Sequence, residues 1–103
     1  MYAFSPTTTA GRPLLTVDFT ELLPSGVTLS SVAVTCAVHD GSEVPDATPS
    51  ARLDGSVVVA SPNASQWFHN GVENADYVLT FLATFSDGQI EPVQAKLSVE
   101  KYL

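Results

Sequence analysis

The sequence predicts an all-β protein, an antiparallel β-sandwich of about seven strands, and three observations lead to this prediction. Apolar residues alternate with polar ones along several short runs, which is the period of a strand. Gly, Pro, Asn and Asp separate these runs at intervals of about ten residues. We find no helical period longer than one turn. A small β-barrel is the alternative architecture for the same pattern.

The clearest element is a hairpin in residues 76–100, DYVLTFLATFSDGQIEPVQAKLSVE. A two-residue loop would set Leu79 against Lys96 and turn a charged side chain into the core. Shifting the pairing by one residue joins apolar residues instead: Ala83 to Val93, Phe81 to Ala95, Leu79 to Leu97 and Tyr77 to Val99. Because a one-residue shift exchanges the two faces, burial favours the second pairing. We therefore predict a three-residue loop at 87–89, or an equivalent bulge, with Gly88 at positive φ.

Shorter strands are predicted before this hairpin. They cover residues 13–19, residues 28–39, a second hairpin of 51–53 and 56–60 around Asp54-Gly55, and a short strand at 66–69. The side chains predicted to face inward are Leu15, Val17, Phe19, Val32, Val34, Cys36 and Val38. Cys36 is the only cysteine, so no internal disulfide can form, and its inward position indicates a buried thiol.

The start of the C-terminal hairpin resembles the tyrosine corner of immunoglobulin-like domains. In those domains a Tyr lies two positions before the second core cysteine, and here Tyr77 precedes Leu79 in the same way. We therefore predict an immunoglobulin-like β-sandwich over residues 13–103, in which aliphatic packing replaces the disulfide.

Residues 1–12, MYAFSPTTTAGR, differ from the rest of the chain and are predicted to form an extended N-terminal arm. The segment is too polar to form a core, and its simplest interpretation is a frayed terminus. The alternative is an arm that lies on a neighbouring subunit, anchored by Tyr2 and Phe4.

The charge balance disfavours nucleic acid as a partner. The chain has 4 Lys and Arg against 11 Asp and Glu, a formal net charge of −7, whereas a phosphate backbone requires clustered cations. An acidic surface favours solubility or docking onto a basic partner. No apolar run approaches the length of a membrane helix, and residues 1–20 lack the features of a signal peptide. The single cysteine, Cys36, fits folding in a reducing cytoplasm.

The sequence offers few candidates for chemistry, and we predict no metal, no cofactor and no enzymatic activity. The loop 39–46, HDGSEVPD, holds the densest group of possible metal ligands, but it lacks the spacing of a calcium loop. A solvated acidic loop is the better interpretation. A hydrolase would need a nucleophile next to a base, and the chain contains no GxSxG motif.

Trp67 and Phe68 are neighbours in a predicted strand, so their side chains should point to opposite faces and at most one should be core. Packing at the core or the sheet edge is the simpler interpretation of Trp67. An exposed aromatic could instead anchor a protein interface or stack on a sugar ring. This leads to an alternative function, a carbohydrate-binding module that uses Trp67, Tyr2 or Tyr102. A stray module of a bacterial adhesin is a third possibility.

Several short motifs follow one another in a definite order along the chain. At the start these are Asp18-Phe19, Leu23-Pro24-Ser25-Gly26, Leu29-Ser30-Ser31 and Val34-Thr35. Towards the end they are Gly71, Tyr77-Val78-Leu79-Thr80, Thr84, Ser86-Asp87-Gly88 and a strand holding Leu97 and Val99. The order of these motifs is similar to that of small structural proteins of tailed phages. The resemblance covers about residues 14–100, with gaps in the middle.

This resemblance implies a single immunoglobulin-like domain in a phage particle. Such proteins are described as head–tail or fibre–tail adaptors, or more broadly as virion structural proteins. A capsid decoration protein belongs to the same functional class. The implied function is therefore a non-enzymatic virion protein, assembled in the host cytoplasm in many symmetric copies, that binds other virion proteins. Under this interpretation the partner-binding candidates are the exposed aromatics Tyr2, Phe4, Trp67 and Tyr102.

Overall fold

The computed structural model describes residues 2–100, with Tyr2 described by its backbone. The strands are β1 (Tyr2–Ala3), β2 (Thr7–Thr8), β3 (Leu14–Asp18), β4 (Leu29–Val38), β5 (Leu53–Ala60), β6 (Asn63–Phe68), β7 (Asp76–Phe85) and β8 (Ile90–Glu100). One 3₁₀ turn, Pro49–Arg52, precedes β5. The described residues contain no α-helix, which confirms the all-β prediction. Within them, none of the helical structure is long and apolar enough to cross a membrane.

The strands form two sheets that enclose one core. The first sheet has the order β1-β8-β7-β4, with β2 also on β8, and the second has the order β3-β6-β5. The arm strands β1 and β2 run parallel to β8, whereas all other neighbours are antiparallel. Residues 2–100 form eight strands where about seven were predicted, and the two shortest, β1 and β2, lie in the predicted arm.

The core consists of the inward-facing side chains of both sheets. Fully buried members are Val17, Phe19, Phe68, Tyr77, Leu79, Phe81, Phe85, Leu97 and Val99. Each such side chain stabilises the fold by about 1.5–3 kcal/mol on burial. The predicted alternation is confirmed in β3 and β4, although Val34 and Val38 are only half-buried. Both side chains still pack against the core.

The C-terminal hairpin has the predicted faces but not the predicted register. Leu79 lies opposite Ala95 and not Leu97, so the pairing is displaced by two residues. The loop therefore spans residues 86–88, closed by a 2.8 Å hydrogen bond from the Phe85 N–H to the Gln89 carbonyl. Gly88 has φ +91°, as predicted. A two-residue displacement keeps every side chain on its own face, so burial cannot distinguish the two registers.

The predicted hairpin around Asp54-Gly55 is wrong, because residues 53–60 form the single strand β5. Gly55 has φ +76° and lies in a bulge of β5. The side-chain amide of buried Gln66, on the neighbouring strand β6, donates to the Gly55 carbonyl at 3.1 Å. This hydrogen bond replaces the strand pairing that the carbonyl loses in the bulge. The turn between β5 and β6 lies instead at residues 61–62, since Ala60 pairs with Asn63.

Gly71 is packed so closely that alanine should destabilise the fold. A Cβ at Gly71 would lie 2.6 Å from Val99 Cγ2 and 3.1 Å from Phe68 Cε1. Both neighbours are buried and cannot move freely. We expect Gly71→Ala to lower the free energy of unfolding by about 1–2 kcal/mol, measured by urea denaturation. Gly41→Ala, the same change in an exposed loop, is the control and should be nearly neutral; equal losses in both variants would contradict the prediction.

Candidate functional site

The four aromatic residues proposed from the sequence are not brought together. Trp67 lies on the outer face of the β3-β6-β5 sheet, whereas Phe4 lies beside β8 of the other sheet. The backbone of Tyr2 pairs with Ala95. Tyr102 lies outside the described residues. A shared aromatic site built from these residues is therefore not formed within residues 2–100.

Trp67 is covered on its outer side by a cation. Phe68 points inward and is fully buried, so the two neighbours face opposite sides of the sheet as predicted. The Arg12 guanidinium lies 4.0 Å from the centre of the Trp67 ring. Arg12 Nε also donates to Asp54 Oδ2 at 2.5 Å, and this hydrogen bond holds the pKa of Asp54 below its ordinary value. A sugar could stack on this ring only after Arg12 had been displaced.

Phe4 packs against the core of its own chain. Its N–H donates to the Lys96 carbonyl at 2.9 Å, and its ring centre lies 6.3 Å from that of Phe81. The side chain is half-buried at the margin of the core. Residues 2–8 therefore cover the outer edge of β8. That the same arm reaches a neighbouring subunit stays a prediction.

The end of loop 39–46, which was predicted to be solvated, belongs to a buried polar network. Asp46 was grouped with the solvated residues of loop 39–46, but its side chain is only 4% exposed. Its carboxylate accepts a 2.7 Å hydrogen bond from the Tyr77 hydroxyl and lies 3.3 Å from Arg52 Nε. The Val72 N–H in turn donates to the Tyr77 hydroxyl at 3.1 Å. The network joins the loop after β4 to the start of β7.

The protonation of this network follows from its contacts. Burial opposes ionisation of Asp46, but the Tyr77 hydroxyl, the Thr48 N–H and the Arg52 charge outweigh it, so the pKa of Asp46 lies below its ordinary value. Burial, aided by Asp46, raises the pKa of Tyr77 to about 12. At neutral pH Tyr77 is therefore the donor and Asp46 the anionic acceptor. These groups are occupied in holding the loop in place.

Cys36 is accounted for by packing. Cys36 is 8% exposed, and its burial raises the pKa of the thiol to about 12, which confirms the predicted buried thiol. Within residues 2–100, no three His, Cys, Asp or Glu side chains come close enough together to hold a metal ion.

An apolar patch lies on the outer face of the first sheet, and sequence reasoning did not identify it. Leu82 is 44% exposed and Ile90 is 59% exposed. They are diagonal neighbours on β7 and β8, because Leu82 pairs with Pro92 and Ile90 pairs with Thr84. Ala33, which pairs with Leu82 from β4, extends the patch. We call Ala33, Leu82, Ile90 and Pro92 the Leu82 patch. The sequence did contain one indication of this patch, since Leu82 is an apolar residue at an outward position of β7.

A depression continues from this patch along the same sheet. Its volume is about 290 Å³, and it is lined by Ala37, Val38, His39, Asp40, Val78, Thr80 and Gln94. Thr80 is the next outward residue of β7 after Leu82, so the depression and the patch form one continuous surface. This surface combines an apolar end with a polar, hydrogen-bonding end, a composition common in protein interfaces.

A scan of the sequence against protein-family models gives no match, and a search of the curated proteins gives no significant match.

Proposed function

We propose that this chain is a non-enzymatic structural protein of a tailed-phage particle, which links or decorates other virion proteins through protein–protein contacts. The observation that supports protein binding is the Leu82 patch, where apolar side chains face outward from a rigid sheet. A contiguous exposed apolar patch is typical of protein–protein contact sites. The phage assignment rests on the similarity of the turn and strand motifs to small phage structural proteins.

The same proposal includes an immunoglobulin-like fold, and the strand order supports it. The second sheet, β3-β6-β5, corresponds to strands B, E and D of that fold, and β4, β7 and β8 correspond to C, F and G. The hydrogen bond from the Val72 N–H to the Tyr77 hydroxyl is also what a tyrosine corner requires. Tyr77 stands at the start of β7, the position that the corner occupies in strand F.

The charge of the chain indicates the kind of partner surface. With a net charge of −7, long-range attraction favours a partner that carries basic residues. The Leu82 patch itself carries no charged side chain, so its contact would be apolar at the centre. A decoration protein needs only this one surface, whereas an adaptor needs a second. The outer face around Trp67 and Val58, on the opposite sheet, is available for that role.

Purified virions provide the test. We expect the chain to be present at a fixed ratio to the major virion proteins, measured by quantitative mass spectrometry. Leu82→Asp should fold but be lost from particles, because an anion in the centre of an apolar contact is strongly unfavourable. Val58→Asp, a comparably exposed change on the other sheet, separates the two roles, because a decoration protein should keep this variant in particles and an adaptor should lose it. Absence of the wild-type chain from the particles would overturn the proposal.

A further inference from the structure

The two edges of the first sheet differ in a way that indicates a further contact. At one edge, β1 and β2 of the same chain cover β8. At the other edge β4 pairs with β7 alone, and no other strand formed by residues 2–100 lies on its free side. A strand with one open side presents unpaired backbone donors and acceptors to any further extended strand.

The pattern of hydrogen bonds between β4 and β7 identifies which backbone groups of β4 face its open side. The His39 N–H donates to the Asp76 carbonyl at 2.8 Å, so this opposed pair is hydrogen-bonded. In an antiparallel ladder such pairs alternate with non-bonded ones, so the backbone groups of Ala33, Thr35 and Ala37 also face β7. The N–H and C=O groups that face away belong to Val32, Val34, Cys36 and Val38.

Two of the sequence features that normally prevent edge pairing are missing from the strand. Its ten residues, LSSVAVTCAV, include no charged residue and no proline. The side chains on its outer face are small and exposed, namely Ser31, Ala33, Thr35 and Ala37. On its inner face Val34 and Val38 are only half-buried. A neighbouring strand would therefore cover apolar surface as well as satisfy backbone groups.

We propose that β4 pairs antiparallel with β4 of a second copy of this chain, about a two-fold axis at Thr35. In this register Val34 lies opposite Cys36 and Val32 lies opposite Val38 of the second copy. The four residues of each β4 whose backbone groups face away from β7 then form hydrogen bonds with the other copy. The two copies of Thr35 meet side by side on the outer face, and Thr–Thr pairs are favourable cross-strand neighbours.

A second copy suits this edge for two reasons. The strand is uncharged, so the two copies bring no like charges into direct contact even though each chain carries −7. A two-fold contact also uses the same surface on both partners and closes on itself. The inference deepens the proposed function, since it names a second copy of this chain as one partner of a protein present in symmetric copies.

Charge substitutions at the axis test the register. Thr35→Lys and Thr35→Glu should each be monomeric by sedimentation velocity, because two like charges would face each other across the axis. An equimolar mixture of the two variants should dimerise again. Gln94→Lys, an exposed change of the same charge on β8, is the matched control and should dimerise like the wild type. Dimerisation of the wild type should strengthen with added salt, since salt screens the repulsion between two acidic chains.

Amide hydrogen exchange tests the contact independently of these variants. In the wild-type dimer the N–H groups of Val32, Val34, Cys36 and Val38 should exchange more slowly than in the Thr35→Lys monomer. Those of Ala33, Thr35 and Ala37 should be protected in both, because they bond to β7.

A monomeric wild-type chain, or a Thr35→Lys variant that dimerises normally, would overturn the pairing. Neither result would bear on virion incorporation, which the Leu82 patch tests separately. Conversely, a wild-type chain that is absent from particles but dimerises through β4 would overturn the phage function alone.

Discussion

Phe81→Ala should lower the free energy of unfolding by about 3–5 kcal/mol, a large part of the 5–15 kcal/mol that stabilises a domain of this size. Phe81 is fully buried in the middle of β7, opposite Val93 on β8. Its ring also lies against that of Phe4, so truncation would leave a cavity and remove the main anchor of the N-terminal arm. Urea denaturation followed by circular dichroism and fluorescence measures the loss.

Ile90→Ala is the control for this prediction. Ile90 is 59% exposed on the adjacent strand, so the same kind of truncation should change the free energy of unfolding by less than about 0.5 kcal/mol. A Phe81→Ala variant as stable as Ile90→Ala would show that the two sheets do not enclose the described core.

The second large effect is expected at the polar network. Asp46→Asn keeps the shape of the side chain but removes the negative charge that faces Arg52 and the Tyr77 hydroxyl. We expect a loss of about 2–3 kcal/mol near neutral pH, because hydrogen bonds to charged groups are the stronger ones and Arg52 loses its ion-pair partner. Asp40→Asn, in the exposed part of the same loop, should be nearly neutral.

The effect of Asp46→Asn should also depend on pH. The pKa of Asp46 in the folded state lies below its ordinary value of 3.8. Its contribution is therefore complete above that value and is lost as the pH falls through the folded-state pKa. The stability gap between the wild type and Asp46→Asn should be constant from about pH 7 to pH 5 and should shrink at lower pH. A gap that widens in acid would contradict the assigned network.

Residue periodicity was sufficient to predict which faces of the long strands are buried. Leu79, Phe81 and Leu97 are fully buried as alternation requires. The hairpin register was not available from the same pattern, because a displacement of two residues preserves both faces. The carboxylate of Asp87 accepts a 3.0 Å hydrogen bond from the Gln89 N–H, and this local contact belongs to the 86–88 loop.

The errors in β5 and in loop 39–46 have a different cause. Asp54-Gly55 has the composition of a turn, but Gly55 lies in a bulge of β5. Its carbonyl accepts a hydrogen bond from the Gln66 side chain on another strand. Asp46 has the composition of a solvated loop, and it is drawn inward by partners distant in sequence. Both outcomes depend on tertiary neighbours that no local pattern contains.

The parallel pairing of β1 and β2 with β8 has a mechanical consequence. The first and last described strands lie side by side and point the same way, joined by bonds such as that from the Phe4 N–H to the Lys96 carbonyl. Tension applied to residues 2 and 100 in opposite directions would slide the two strands along each other. The bonds between them would then bear the force together, as a shear load, and would not be opened one after another.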